Sequence, residues 1–197
     1  MDTFFDLIDD LIHCPQAEKA SREQGIRELF ETDKAVLALD MSGFTVSVRR
    51  DGIIAHLCKI RRMQMLVAPL IRDHGGELVK YEADNALAVF DDSNQAVSAA
   101  VAINREIFAL RQRLGESAVT PVGIGIDFGQ LLLIPGKDCY GDPVNIAYKL
   151  AEDIARPAEV LVTENVERML VPTAPFSTER QMLSISGVAM AAYRVLH

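Results

Sequence analysis

Carboxylates, lysines and amide-rich turns recur in this chain where apolar runs end, the places at which side chains and backbone N–H groups can converge on one ligand. In AVLALDMSGFT, Ala35 to Thr45, an apolar strand runs into Asp40 and then into a turn containing Gly43. A buried strand would fix Asp40 at its carboxyl end. Ser42, Gly43, Phe44 and Thr45 would offer backbone N–H groups where a helix begins, so that metal and phosphate meet there. In GGELVKYEADNALAVF, Gly75 to Phe90, two short apolar strands flank the turn Ala83-Asp84-Asn85, with Asp84 at the hairpin tip and Lys80 on the strand before it. A third segment, Gly125 to Val162, reads as strand, loop, helix and strand and carries Asp138, Asn145 and Lys149. The last two are four apart, hence on one helical face. Taken singly, these residues have plainer readings: a helix cap for Asp40, turn residues for Asp84 and Asp138, solvated lysines for Lys80 and Lys149.

The elements that must position them follow from periodicity. Thr3 to Ile12 form a short amphipathic pattern, Pro15 interrupts it, and Ala17 to Phe30 resume a charged helical pattern. This gives a helical leader over residues 1–33 ahead of a core over residues 34–197. Between Asp51 and Asp73, the residues Ile53, Leu57, Ile60, Met63, Leu66 and Leu70 recur every three or four positions, which predicts a helix ending at His74-Gly75-Gly76. A second helix is predicted over Asn94 to Leu114, and Pro121 to Ile134 read as two strands. Asp142 is expected to N-cap the helix that follows Asp138, with Pro143 in the first helical position. The resulting order is the split βαββαβ unit of a ferredoxin-like sheet, an α+β fold with a C-terminal extension from Pro143 to a final strand at Ala189 to Leu196.

Composition is consistent with one core, since 197 residues at 49% hydrophobic content bury a sizeable interior without a second domain. A net charge of −8 argues against a nucleic-acid groove, and Lys and Arg form no stripe beyond Arg49-Arg50 and the helical run Lys59, Arg61 and Arg62. Cys14, Cys58 and Cys139 are odd in number and widely spaced, which suits reduced thiols. No stretch is apolar enough to cross a bilayer and the amino terminus lacks a basic signal region, so a soluble, cytoplasmic chain with no membrane partner is expected.

The motifs DMSGFT, KYEADN and DCYGDPVNIAYKL stand in the order, and at about the separations, found in class III nucleotidyl cyclases, and from Lys34 to Leu196 the chain resembles the catalytic domain of that family. The resemblance implies that Asp40 and Asp84 hold two Mg²⁺ or Mn²⁺ ions. It implies that Lys80 and Asp138 read adenine, as donor and acceptor, making ATP the substrate. Asn145 would orient the ribose, and Lys149, standing where the family usually has arginine, would neutralise charge on the reacting phosphate. It also implies a homodimer in which Asp40 and Asp84 of one subunit work with Lys80, Asp138, Asn145 and Lys149 of the partner. The leader would then be a regulatory handle for docking or for another protein or domain, or a helix that merely covers the sheet.

Several positions depart from the family pattern. Lys149 keeps the charge of arginine but loses its planar fork. Gly123 stands where arginine is common, Ser186 occupies the neighbourhood of an expected lysine, and Ala83 replaces the usual glycine before Asp84. Two functional expectations therefore stand side by side. One is an adenylate cyclase of low activity that converts ATP to 3′,5′-cyclic AMP and pyrophosphate. The other is a catalytically degenerate cyclase-homology domain with a regulatory nucleotide- or partner-binding role. A cyclase with a different base preference is a third.

Overall fold

The computed structural model describes residues 3–172, 174–185 and 188–196. Thr3 forms a capping box: its side chain accepts from the Asp6 N–H while the Asp6 carboxylate accepts from the Thr3 N–H. This starts α1 (Phe4–His13), and a single 3₁₀ turn at Gln16–Glu18 leads into α2 (Lys19–Phe30). The core then runs β1 (Glu31–Met41), α3 (Phe44–Asp51), α4 (Ile53–Asp73), β2 (Gly76–Glu82), β3 (Asn85–Phe90), α5 (Ser93–Leu114) and β4 (Val122–Ile134). After it come β5 (Asp138–Tyr140), α6 (Asp142–Lys149), a π-helical turn at Leu150–Ile154, β6 (Val160–Thr163), α7 (Glu164–Glu167), β7 (Ser177–Ile185) and β8 (Val188–Leu196).

The described strands form one eight-stranded sheet in the order β2-β3-β1-β4-β6-β8-β7, with β5 added to the end of β4. The expected βαββαβ core is present in this mixed α+β fold. Strand β1 lies at its centre because AVLAL is apolar at every position and can be buried on both faces. Its odd positions, Ala35, Leu37, Leu39 and Met41, pack with Met63, Val67 and Ile71 of α4 and Val97 and Ala100 of α5. Its even positions, Val36 and Ala38, pack on the opposite face with Val144 and Ala147 of α6 and Ala151 of the π turn.

Three local expectations differ from the structure. Residues 122–134 form one strand, not two: β4 pairs antiparallel with β1 over the full run from Leu132 opposite Glu31 to Val122 opposite Met41. The apparent break at its glycines has another cause. A Cβ on Gly125 would lie 2.2 Å from the Ala147 carbonyl oxygen, and one on Gly123 would lie 2.9 Å from that of Ala151, so the glycines let α6 and the π turn sit directly on the strand. The helix predicted from Asp51 divides at Gly52 into α3 and α4. Finally, the N-cap of α6 is Gly141, with no side-chain cap; Asp142 and Pro143 both lie inside the first turn.

The leader is packed, not loose. Phe4 and Ile26 are buried against Ile134, with Leu7, Ile8, Leu11, Phe30 and Leu132 around them. Strand β1 begins at Glu31, directly after α2, so the helices and the sheet form a continuous run of structure across residue 33.

Candidate active site

Asp40 continues the even-numbered face of β1 and therefore falls on the α6 side of the sheet, directly opposite Gly123. Its carboxyl does not cap α3; that position belongs to Gly43, whose φ of 78° lets the chain turn sharply without strain. Burial, followed by the charges of Asp84 and Glu152, pushes the Asp40 carboxyl up to about 7. Asp40, at the end of β1, and Asp84, in the two-residue β2–β3 turn, are thus near enough for their charges to act on each other. The preceding Ala83 adopts a positive φ of 52°, which is why glycine would be the easier residue there.

Glu152 is a site residue that sequence reasoning missed. It accepts a 2.6 Å hydrogen bond from Asn85 Nδ2 at the hairpin tip, and its own carboxyl is raised by burial first and then by Asp153 and Asp84. The signal was present: 145, 149 and 152 are spaced four and three apart, one continuous helical stripe. A π turn at Leu150–Ile154 extends α6 far enough to bring Glu152 to the hairpin.

On the edge strand β2, the pairing register shifts between Leu78 and Lys80, so both Val79 and Lys80 lie on the α6 side. Without that irregularity Lys80 would point toward α4. Instead its Nζ lies 3.1 Å from the Asp138 carboxylate of β5 and 3.1 Å from Glu82. Burial works against the Lys80 ammonium, but the hydrogen bonds to Asp138 and Glu82 outweigh it and hold its pKa above the ordinary lysine value. Asp138 is further fixed by the Cys139 N–H at 2.8 Å and the Tyr140 hydroxyl at 3.3 Å. Residues 58 apart in the chain have come together as a hydrogen-bonded ion pair.

Asn145 and Lys149 line one cleft of ≈ 700 Å³ together with Tyr148, Glu152 and Met190. The Tyr148 hydroxyl is buried there with no hydrogen-bond partner among the described residues, and burial pushes it up to about 12. An orphaned phenol of this kind marks a place where a polar ligand atom would be welcome.

The turn after β1 meets its expectation in part. Helix α3 does begin at Phe44, leaving the first amides of the helix without intrahelical partners. The Ser42 N–H, however, already donates to the Pro121 carbonyl at 3.2 Å, so Ser42 has no amide to give a phosphate. Gly123 has no room for the arginine expected there, and Ser186 lies outside the described residues. Among the described residues no group of three or more His, Cys, Asp or Glu side chains is placed to hold a metal ion. The Asp40 and Asp84 pair still fits a small hard cation, because Mg²⁺ is usually held by one or two carboxylates plus substrate phosphates and water. No helix among the described residues is long and apolar enough to cross a membrane.

No family model matches the chain. A protein of Rhizobium meliloti (strain 1021), provisionally named adenylate cyclase 3, is 27% identical over 132 residues, covering 67% of this chain and 22% of that protein. The serine/threonine-protein kinase pkn2 of Myxococcus xanthus is 26% identical over 131 residues, covering 66% of this chain and 16% of the kinase. The chain thus spans about a fifth of the length of the curated relatives it matches. A crystal structure of an adenylate/guanylate cyclase/hydrolase from Silicibacter pomeroyi superimposes with a TM-score of 0.70 at 25% identity, over 85% of this chain and 98% of that one. Sequence match and fold together support a nucleotidyl cyclase catalytic domain.

Proposed function

We propose that the chain is an adenylate cyclase, converting ATP to 3′,5′-cyclic AMP and pyrophosphate at sites shared between two copies. The observation that carries the choice of ATP is the contact between Lys80 and Asp138 at 3.1 Å, a donor and an acceptor held side by side on the α6 face. Adenine offers N1 as an acceptor and its exocyclic amine as a donor, and this pair answers both.

In this reading Asp40 and Asp84 hold Mg²⁺ or Mn²⁺, two ions per site. The bound cation would polarise the α-phosphate and acidify the ribose 3′-hydroxyl. Burial and neighbouring carboxylates hold Asp40 partly protonated near neutral pH, so binding of a cation there would release a proton. The opening amides of α3 bind phosphate oxygens at the positive end of the helix dipole. Asn145 orients the ribose and Lys149 neutralises charge as the α-phosphate is attacked. Asn145 and Lys149 stand on α6, whose footing on β4 fixes their spacing. Metal ligands of one subunit would face the base and ribose residues of the other, making the homodimer the catalytic unit.

A second reading, a degenerate cyclase-homology domain with a regulatory binding role, is favoured by one observation: Gly123, where the resemblance implies a phosphate-binding arginine, packs so closely on Ala151 that a side chain there has no room. Incubating the purified protein with ATP, GTP, CTP and UTP, in Mg²⁺ or Mn²⁺, and identifying products by mass spectrometry decides between them. Cyclic AMP that vanishes in Asp40→Ala supports the first reading. A dimeric, folded sample that yields no cyclic nucleotide supports the second.

A further inference from the structure

The leader and the base-reading pair meet at one aromatic contact. Phe4 of α1, 7% exposed, stacks on Tyr140 with ring centroids 6.0 Å apart and planes 14° from parallel. Phe4 also meets Phe30, the last residue of α2, edge to face at 5.0 Å. The Tyr140 hydroxyl donates to the Asp138 carboxylate at 3.3 Å, on the same Oδ2 that accepts from Lys80. A chain of direct contacts therefore runs from α1 through Phe4, Tyr140 and Asp138 to Lys80.

The strand that carries both Tyr140 and Asp138 needs such support. Strand β5 has three residues and, among the described residues, pairs with the end of β4: Leu132 with Tyr140, Leu133 with Cys139, Ile134 with Asp138. So short a strand at a sheet margin holds its position weakly by itself. The same stretch of β4 is where the leader docks, since Leu132 and Ile134 pack with Phe4 and Ile26. Asp6, held below the usual carboxylate range first by its hydrogen bonds with Thr3, is also drawn down by the charge of Lys137 in the β4–β5 turn. Helix α1 thus touches β5 and faces the turn before it.

We propose that the leader helix sets the position of the Asp138 carboxylate by stacking Phe4 on Tyr140, making Tyr140 a positioning residue for base recognition and the leader a control on nucleotide preference. The inference rests on the reading of Lys80 and Asp138 as the base-reading pair. Anything that lifts α1 from the β4–β5 corner, such as a segment joined to the leader or a partner protein that binds α1, loosens Asp138 and weakens discrimination between purines. Nucleotide binding in turn holds the leader down, because coupling between two sites is reciprocal.

Two measurements on the full chain test it. Tyr140→Phe keeps the stack and removes the hydroxyl, and the ATP-over-GTP preference should fall about three- to tenfold, in KM more than in kcat, as loss of one hydrogen bond to a carboxylate requires. Phe4→Ala, with Phe4→Leu as the milder change, should speed hydrogen exchange of the β5 amides about tenfold while α4 and α5 stay protected. Unchanged β5 exchange in both Phe4 variants overturns the mechanical link. A wild-type preference for ATP that survives intact in Tyr140→Phe overturns the positioning role. A wild type that binds neither ATP nor GTP overturns the cyclase reading and the role of Tyr140 in base recognition, and is told apart from failure of the link by the exchange data, which need no nucleotide.

Discussion

Replacing Asp40 by asparagine should make the protein more stable and less functional at once. In the folded chain, burial and the charges of Asp84 and Glu152 raise this carboxyl from 3.8 to about 7. Between those two values the folded state holds a proton that the unfolded chain has released. Stability must therefore fall as pH climbs through that window, and the penalty is complete above about 7. At about 1.36 kcal/mol per pH unit the full gap sets a ceiling of about 4 kcal/mol. Asp40 is only part-buried, so solvent screening reduces the expected gain in Asp40→Asn to about 1–2 kcal/mol at pH 8. For a chain of this size that is a rise of roughly 2–8 °C in melting temperature. Thermal melts of wild type and variant at pH 5 and pH 8, without metal, read it directly. The gap should be wide at pH 8 and narrow at pH 5, and millimolar Mn²⁺ should stabilise the wild type and not the variant. A variant that melts lower than wild type at pH 8, or a difference that does not depend on pH, would refute the reasoning.

Lys80→Glu sets two carboxylates beside Asp138 and should raise the KM for ATP by about tenfold or more while leaving the Mn²⁺ requirement unchanged, as steady-state kinetics would report. Lys149→Ala should lower kcat by about ten- to a hundredfold, and Lys149→Arg should recover or exceed wild-type turnover, because the guanidinium grips two phosphate oxygens. Gly123→Arg, which puts back the residue the resemblance leads one to expect, should fail to raise activity. Its Cβ would lie 2.9 Å from the Ala151 carbonyl oxygen, so melting curves should show a loss of about 1–3 kcal/mol instead.

What was legible in the sequence depended on whether local pattern or long-range contact decided the outcome. The βαββαβ order was readable because AVLAL and the three- and four-residue spacings of α4 and α5 are strong periodic signals. Strand β4 was misread as two, because glycines look like punctuation along a strand, and only the helix lying across it explains them. Asp142 looked like a cap by type, yet the loop geometry gave that place to Gly141. At the site, Asp40, Asp84, Lys80 and Asp138 were found as motif residues. The register shift that turns Lys80 toward Asp138 leaves no mark in GELVKYE, since each residue there suits a strand. Glu152 shares a helical stripe with Asn145 and Lys149, and Tyr140 and Tyr148 lie within DCYGDPVNIAYKL, but their contacts with Asn85, with Phe4 and with the buried cleft depend on parts of the chain that a local pattern does not show.

The two glycines under α6 also decide which parts of the machine are free to move. With the carbonyls of Ala147 and Ala151 lying where Cβ atoms would otherwise stand, the helix is keyed to β4 like a pin in a slot, seated over the two positions of that face that carry no side chain. Asn145 and Lys149 therefore behave as a fixed anvil. In the proposed catalytic cycle, motion comes to them from the β2–β3 hairpin, the α3 turn or a second copy of the chain.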